Sequence, residues 1–263
     1  MSNKTNDTFY ESQKELEPKF RFEESSHRYY LGDESLPGVT TVLGTLAKPA
    51  LIQWAANEAV KHFKELMLAQ TINGEVLTEA DYHVIGEEAR TAHTKKRDKA
   101  ASQGTDVHAV IEAIIKIAIG AGGKVIQSLT SDVPQVQKFI DWAVANDVTF
   151  HESEKKLYSA KHKFAGTCDF VCTIDGKKMI GDIKTSNGFY GMEGVLQCSA
   201  YRLMIEEMGD SGYVGSVLIR LGKDNSFEEL YRYDETGEDK ETFLALLKVY
   251  KETNKFKKWL ENR

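Results

Sequence analysis

Two periodicities divide the chain. In "PALIQWAANEAVKHFKELMLAQ" apolar residues recur every three to four positions, at Leu51, Trp54, Ala55, Ala59, Phe63 and Leu66, behind a proline suited to a first helical turn. This predicts an amphipathic helix. The stretch "LTEADYHVIGEEARTAHTKKRDKAASQGTDVHAVIEAIIKIAI" predicts a second, long helical region, interrupted near Gly104, with a core stripe of Val107, Ile111, Ile114, Ile115 and Ala118. "GAGGKVIQSLTSDVP" reads as a loop and "QVQKFIDWAVAND" as a further helix. The pattern then changes to strands at about residues 149–158, 164–174 and 178–185. A helix at about 190–208, strands near 213–220 and 227–233 and a helix running to Arg263 follow. Ahead of all these, "FRFEESSHRYYLGDESLPGVTTVLG" alternates aromatic and polar residues around Gly32-Asp33, a hairpin pattern, and Pro37-Gly38 adds a turn. The order predicts an α/β fold, a mixed central sheet flanked by helices with a helical N-terminal portion.

With 263 residues and 41% hydrophobic content, one elaborated domain is expected. Residues 1–18 are polar, without an apolar run or an arginine, and read as a flexible tail rather than a targeting segment. The domain then spans 19–263, divided into an N-terminal hairpin and helices at 19–148 and a sheet core with its C-terminal helix at 149–263. The net charge of −6 excludes a protein that coats nucleic acid through bulk basicity, so any polyanion site is local. Three cysteines without a CxxC pair point to reduced, buried thiols in a cytoplasmic protein. No apolar run reaches the roughly 20 residues that span a bilayer, so no membrane partner is expected.

The stretch "GTCDFVCTIDGKKMIGDIKTS", Gly166 to Ser186, puts two aspartates and a lysine into an otherwise apolar hairpin. Asp175-Gly176 suits a type I′ turn, and a two-residue loop pairs Ile174 with Lys177. That register sets Asp169 opposite Asp182 and turns Lys184 to the same face, while Phe170, Cys172, Ile174, Met179 and Ile183 share the opposite one. Opposed carboxylates repel, and burial raises the cost of both charges. A hard divalent cation held by both would compensate, and a lysine beside it would hold or deprotonate a water. The alternatives are a lysine that salt-bridges the two aspartates at a sheet edge, or a four-residue DGKK loop that shifts the register.

"GTCDF", the 13-residue step from Asp169 to Asp182, "DIK" and "TS" together resemble the PD-(D/E)xK nuclease superfamily, specifically its RecB-like branch. "GTDVH", "SEKKLYS" and "QCSAY" resemble it as well, and "HRYYLGDESLPGVTTVLG...LIQWAANEA" is similar to phage-encoded and mitochondrial genome maintenance exonucleases. The resemblance covers roughly residues 27–208 and implies a restriction-endonuclease-like sheet. It implies Asp169, Asp182 and the Ile183 carbonyl as ligands of Mg²⁺ or Mn²⁺, with His108 added, and Lys184 as the residue that orients or activates water. Gln197 and Tyr201, four apart on one helix face, would sit beside that lysine or the nucleic-acid backbone.

Other positions carry weaker signals. Without the resemblance His108 reads as a core-edge histidine and Gln197 and Tyr201 as an amphipathic helix. Glu154 is a site candidate, and Glu152, on the same strand face, is its alternative. Gly104 reads as a close approach for a strand, a helix break or a cap. Lys95, Lys96, Arg97 and Lys99 are candidates to grip phosphates, with a solvated helix face as the alternative. Lys251, Lys255, Lys257 and Lys258 read as solvent-exposed, and Trp54, Tyr82 and Phe189 either stack on unpaired bases or belong to the core.

Some relatives in this family hold an iron–sulfur cluster on four cysteines. With three cysteines and none before Cys168 or after Cys198, this chain is expected to have no such cluster, and without GxxxxGK[ST] no ATP site. The resemblance therefore implies a Mg²⁺-dependent exonuclease acting on single-stranded DNA or DNA ends, in a bacterium or a phage-infected cell, with recombination or replication proteins as possible partners. The alternatives are a structure-specific endonuclease, an RNA-acting nuclease and a non-catalytic nucleic-acid-binding subunit.

Overall fold

A computed structural model describes residues 19–263 apart from 73, 75 and 187, and without the side chains of 71, 72 and 100–105. The expected flexible tail, 1–18, lies outside the described residues.

The first element is a small antiparallel sheet of β1 (Phe20–Glu23), β2 (Arg28–Leu31) and β3 (Glu34–Leu36). Its second turn is the Gly32-Asp33 hairpin, with Leu31 paired to Glu34 and Gly32 at a φ of 60°. The N-terminal portion thus holds a small sheet ahead of its helices, as the hairpin pattern predicts. The predicted hairpin gains a strand on its outer edge, where Phe20 stacks on Tyr29 and on Tyr158 of the main sheet and Phe22 packs against Tyr29.

Helices α1 (Val39–Leu43), α2 (Pro49–Ile72), α3 (Glu79–Gly120) and α4 (Pro134–Ala145) come next. Helix α3 starts at a capping box in which Thr78 and Asp81 satisfy each other's backbone N–H groups. It runs unbroken through Gly104, which corrects the expected interruption there: the glycine is neither a break nor a cap. One glycine in a helix interior costs only about 1 kcal/mol relative to alanine, which 42 helical residues with a buried C-terminal half absorb.

The main sheet holds β4 (Thr149–Ser159), β5 (Phe164–Ile174), β6 (Lys177–Lys184), β7 (Tyr213–Leu221) and β8 (Phe227–Tyr233) in that spatial order. All neighbours are antiparallel except β6 and β7, which run parallel because α5 (Glu193–Glu207) crosses over between them. Helix α6 (Glu238–Glu261) closes the chain.

Helices cover both faces. On one, Val107, Ile111 and Ile115 of α3 and Phe139 and Trp142 of α4 pack on Phe150, Phe170, Cys172, Met179 and Ile183. On the other, α1, α5 and α6 pack on Leu157, Phe164, Cys168, Val171 and Ile180. The protein is an α/β structure with a mixed sheet between helical layers. All three cysteines are free and buried. Among the described residues, no helix is long and apolar enough to cross a membrane.

Candidate active site

The β5–β6 turn fixes the site. Asp175 and Gly176 both have positive φ, 50° and 73°, and Ile174 pairs with Lys177. The ladder runs on to Phe170–Gly181, so the next residues outward are Asp169 and Asp182. Gly181 is required there, because an added Cβ would lie 1.9 Å from the Phe170 ring that covers it.

The regular alternation of β5 slips at Asp169. Phe164 and Cys168 belong to the α5 side of the sheet, whereas Phe170 and Cys172 belong to the α3 side. Across from Asp169, Glu154 has a φ of 49° and drops out of a ladder that resumes on either side at Ser153–Phe170 and Lys155–Cys168. This paired irregularity aims both carboxylates into the same region. The charge of Glu154 acts on Asp169, while Glu152 is exposed and ion-paired with Lys155. Of the two glutamates considered, Glu154 is the one at the site.

Asp182 is 1% exposed and Lys184 reaches back to it. The ammonium lies 3.1 Å from Oδ1 as a hydrogen bond and 2.9 Å from Oδ2 as an ion pair, yet Oδ2 receives no properly directed hydrogen bond. Asp169 Oδ2 accepts a 2.8 Å bond from the Ile183 N–H. Burial pushes the Asp182 carboxyl up to about 7 and the Asp169 carboxyl up to about 6, against the pull of Lys184 on both and of the Ile183 N–H on Asp169. Burial pulls Lys184 down, but the charge of Asp182 and its hydrogen bond outweigh it, so the net shift is upward.

The α5 side completes a relay. Lys184 Nζ donates to Gln197 Oε1 at 2.9 Å, and Gln197 Nε2 donates to the Tyr201 hydroxyl at 3.0 Å. Both Gln197 and Tyr201 are buried. The Tyr201 ring lies on Gly166, where an added Cβ would be 2.7 Å from Cε1. The glycine of "GTCDF" is thereby explained.

From the α3 side comes His108, hydrogen-bonded to the Ile183 backbone and within reach of the Asp182 and Lys184 charges. Burial lowers its pKa. One and two turns onward lie Glu112 and Lys116, ion-paired with each other and electrostatically coupled to Glu154. Burial, then the Glu112 charge, raises Glu154. Glu112 and Lys116 were missed from sequence, although their spacing of four and eight from His108 places them on its helix face.

Lys95, Lys96 and Arg97 stand elsewhere. They are exposed and paired with Glu88, Glu58 and Asp98, and Arg97 is about 16 Å along the helix axis from His108. The partners cancel much of the local positive charge, and Lys99 is exposed on the same helix. Trp54 packs edge-on against His93, Tyr82 is exposed, and Phe189 packs against the α5-side core.

Among the described residues, no group of three or more His, Cys, Asp and Glu side chains converges as a metal cluster. The expected trio of His108, Asp169 and Asp182 is therefore not assembled: the His108 ring is engaged with the Ile183 backbone instead. What does fit a hard cation is the oxygen set of two opposed carboxyls, one bearing a buried, unsatisfied Oδ2, beside the Ile183 peptide.

No protein-family model matches the chain, and no curated protein matches it. A solved structure described as "Crystal structure of SSO0001" is similar over 76% of this chain and 84% of its own, at 14% identity and a TM-score of 0.35.

Proposed function

We propose that the chain is a metal-dependent DNA nuclease of the PD-(D/E)xK type with a restriction-endonuclease-like sheet, an exonuclease acting on single strands or DNA ends. The observation that carries this reading is the Asp169–Asp182 pair, Asp182 buried and Asp169 half-buried, with Lys184 beside it. Such a pair is costly for stability alone, because each carboxyl is pushed toward its neutral form. A purely structural salt bridge needs one aspartate, and here Lys184 bonds Asp182 while Asp169 faces it on the neighbouring strand.

Asp169 and Asp182, with the Ile183 carbonyl, would hold Mg²⁺ or Mn²⁺. Bound there, the ion would polarise the scissile phosphate and lower the pKa of water. Lys184 would orient the attacking water and donate to a phosphate oxygen as negative charge develops on it. Gln197 holds that ammonium in place through Oε1, and Tyr201 holds Gln197, so the relay fixes the lysine's direction before substrate arrives. Glu154 keeps the Asp169 side electronegative, which favours a cation over a second bound anion.

The test is digestion of end-labelled linear strands, double strands and single-stranded circles with Mg²⁺, Mn²⁺ or EDTA. Metal-dependent shortening of linear strands that spares circles supports the exonuclease. Cleavage of circles moves the reading to an endonuclease, and preferential cleavage of RNA moves it to a ribonuclease. Binding of single strands without cleavage in either metal leaves a non-catalytic binding subunit.

A further inference from the structure

The loop that joins Lys184 to the helix of Gln197 presents one aromatic ring to solvent. Tyr190 is 75% exposed, while its neighbour Phe189, one of three aromatic residues that the sequence offered for stacking or for the core, is packed against the core. The Tyr190 ring lies over Gly188, where an added Cβ would be 3.2 Å from Cε1 and Cζ. Ser186 Oγ donates to the Gly188 carbonyl at 2.8 Å, and Gly191 takes a φ of 121° that lets the chain turn back toward α5.

Both ends of the loop are anchored at the site. Lys184 is tied to Asp182 and Gln197, and Glu193 is ion-paired with Lys48 at 3.0 Å. Gly194 approaches Lys184 so closely that a Cβ there would be 3.6 Å from the lysine Cε. Gly194 is four positions on from Tyr190, so the tyrosine backbone lies within about 14 Å of a residue touching the lysine. That is the reach of the nucleotides flanking a phosphate bound at Lys184. An exposed aromatic ring within that distance of the site, with its apolar core contact handed to the preceding residue, is suited to stack on an unpaired base.

We infer that Tyr190 stacks on a base next to the scissile phosphate and thereby selects single strands over duplexes, whose bases offer no free face. The inference rests on the nuclease reading and names the residue that sets its substrate preference. The ring positions the strand and takes no part in the bond-breaking step.

The experiment measures binding of a short fluorescein-labelled oligothymidine in EDTA, where nothing is cut, by wild type, Tyr190→Ala, Tyr190→Phe and Tyr190→Trp. The same strand is also made with single abasic sites stepped along it. Tyr190→Ala is expected to weaken binding roughly five- to a hundredfold, with Phe and Trp retaining it. One abasic position should weaken wild type by a similar factor and leave Tyr190→Ala unaffected. Equal affinity of wild type and Tyr190→Ala, or an abasic profile shared by both, overturns the stacking role. Cleavage by wild type in Mg²⁺ alongside that result leaves the nuclease reading standing, whereas a wild type that neither binds nor cuts removes both.

Discussion

Lys184 donates a 2.9 Å hydrogen bond to Gln197 Oε1 while its ammonium also contacts Asp182, so one side chain joins the sheet's buried carboxylate to helix α5. Truncating Gln197 to alanine removes the second tether and leaves the Tyr201 hydroxyl without its donor. We expect kcat to fall about ten- to a hundredfold with KM little changed, since positioning is lost while phosphate binding is not. Steady-state kinetics on a linear single strand measures it, and a change confined to KM would assign Gln197 to binding instead.

Tyr201→Phe has a different expected signature. Gln197 Nε2 would lose its acceptor in a buried place, at about 1–3 kcal/mol. The melting temperature should fall while the lysine remains tethered, so activity measured well below melting should stay near wild type.

Both aspartates make the metal-free protein sensitive to pH. Their folded pKa values, about 6 for Asp169 and about 7 for Asp182, lie above the ordinary 3.8. The folded state therefore binds more protons than the unfolded state, and this contribution is fully present below 3.8 and lost as pH rises through 6 and 7. In EDTA the melting temperature should fall as pH rises from about 4 to about 7, a loss of stability on the order of a few kcal/mol. Adding Mg²⁺ at the upper pH should restore it, and Asp182→Asn should flatten the profile. A melting temperature independent of pH in wild type would contradict the burial argument.

Gly181 and Gly166 are expected to resist substitution for separate reasons. Alanine at Gly181 forces the Phe170 ring out of its place, and alanine at Gly166 displaces Tyr201. Each should cost about 1–3 kcal/mol. Denaturant unfolding reads the loss in both, as a lower midpoint than wild type.

Much of this site was legible because it depends on a hairpin. Asp175-Gly176 fixed the register, and the register alone set Asp169 against Asp182 and Lys184 beside them. The slip at Asp169 and the positive φ of Glu154 were not legible: an alternating apolar pattern assumes a regular strand, and a change of face within a strand is set by the packing of both sheet faces at once. That same assumption left Glu152 and Glu154 undivided. The lysine-rich run at Lys95–Lys99 drew attention by composition, yet its neutralising partners, Glu58 and Glu88, come from the adjoining helix or an earlier turn. Glu112 and Lys116 escaped notice because an i, i+4 Glu–Lys pair is the commonest decoration of a solvent-facing helix.

The proposed role of Asp169 and Asp182, to hold a divalent cation that acts with Lys184 in phosphodiester cleavage, is tested by single-turnover digestion of an end-labelled single strand by wild type, Asp182→Asn and Lys184→Ala, each with Mg²⁺ or EDTA, with folding checked by circular dichroism. The account predicts cleavage by wild type in Mg²⁺ alone, and losses of at least about a thousandfold in both folded variants. Cleavage that persists in EDTA, or a folded Asp182→Asn protein that cuts like wild type, would contradict it.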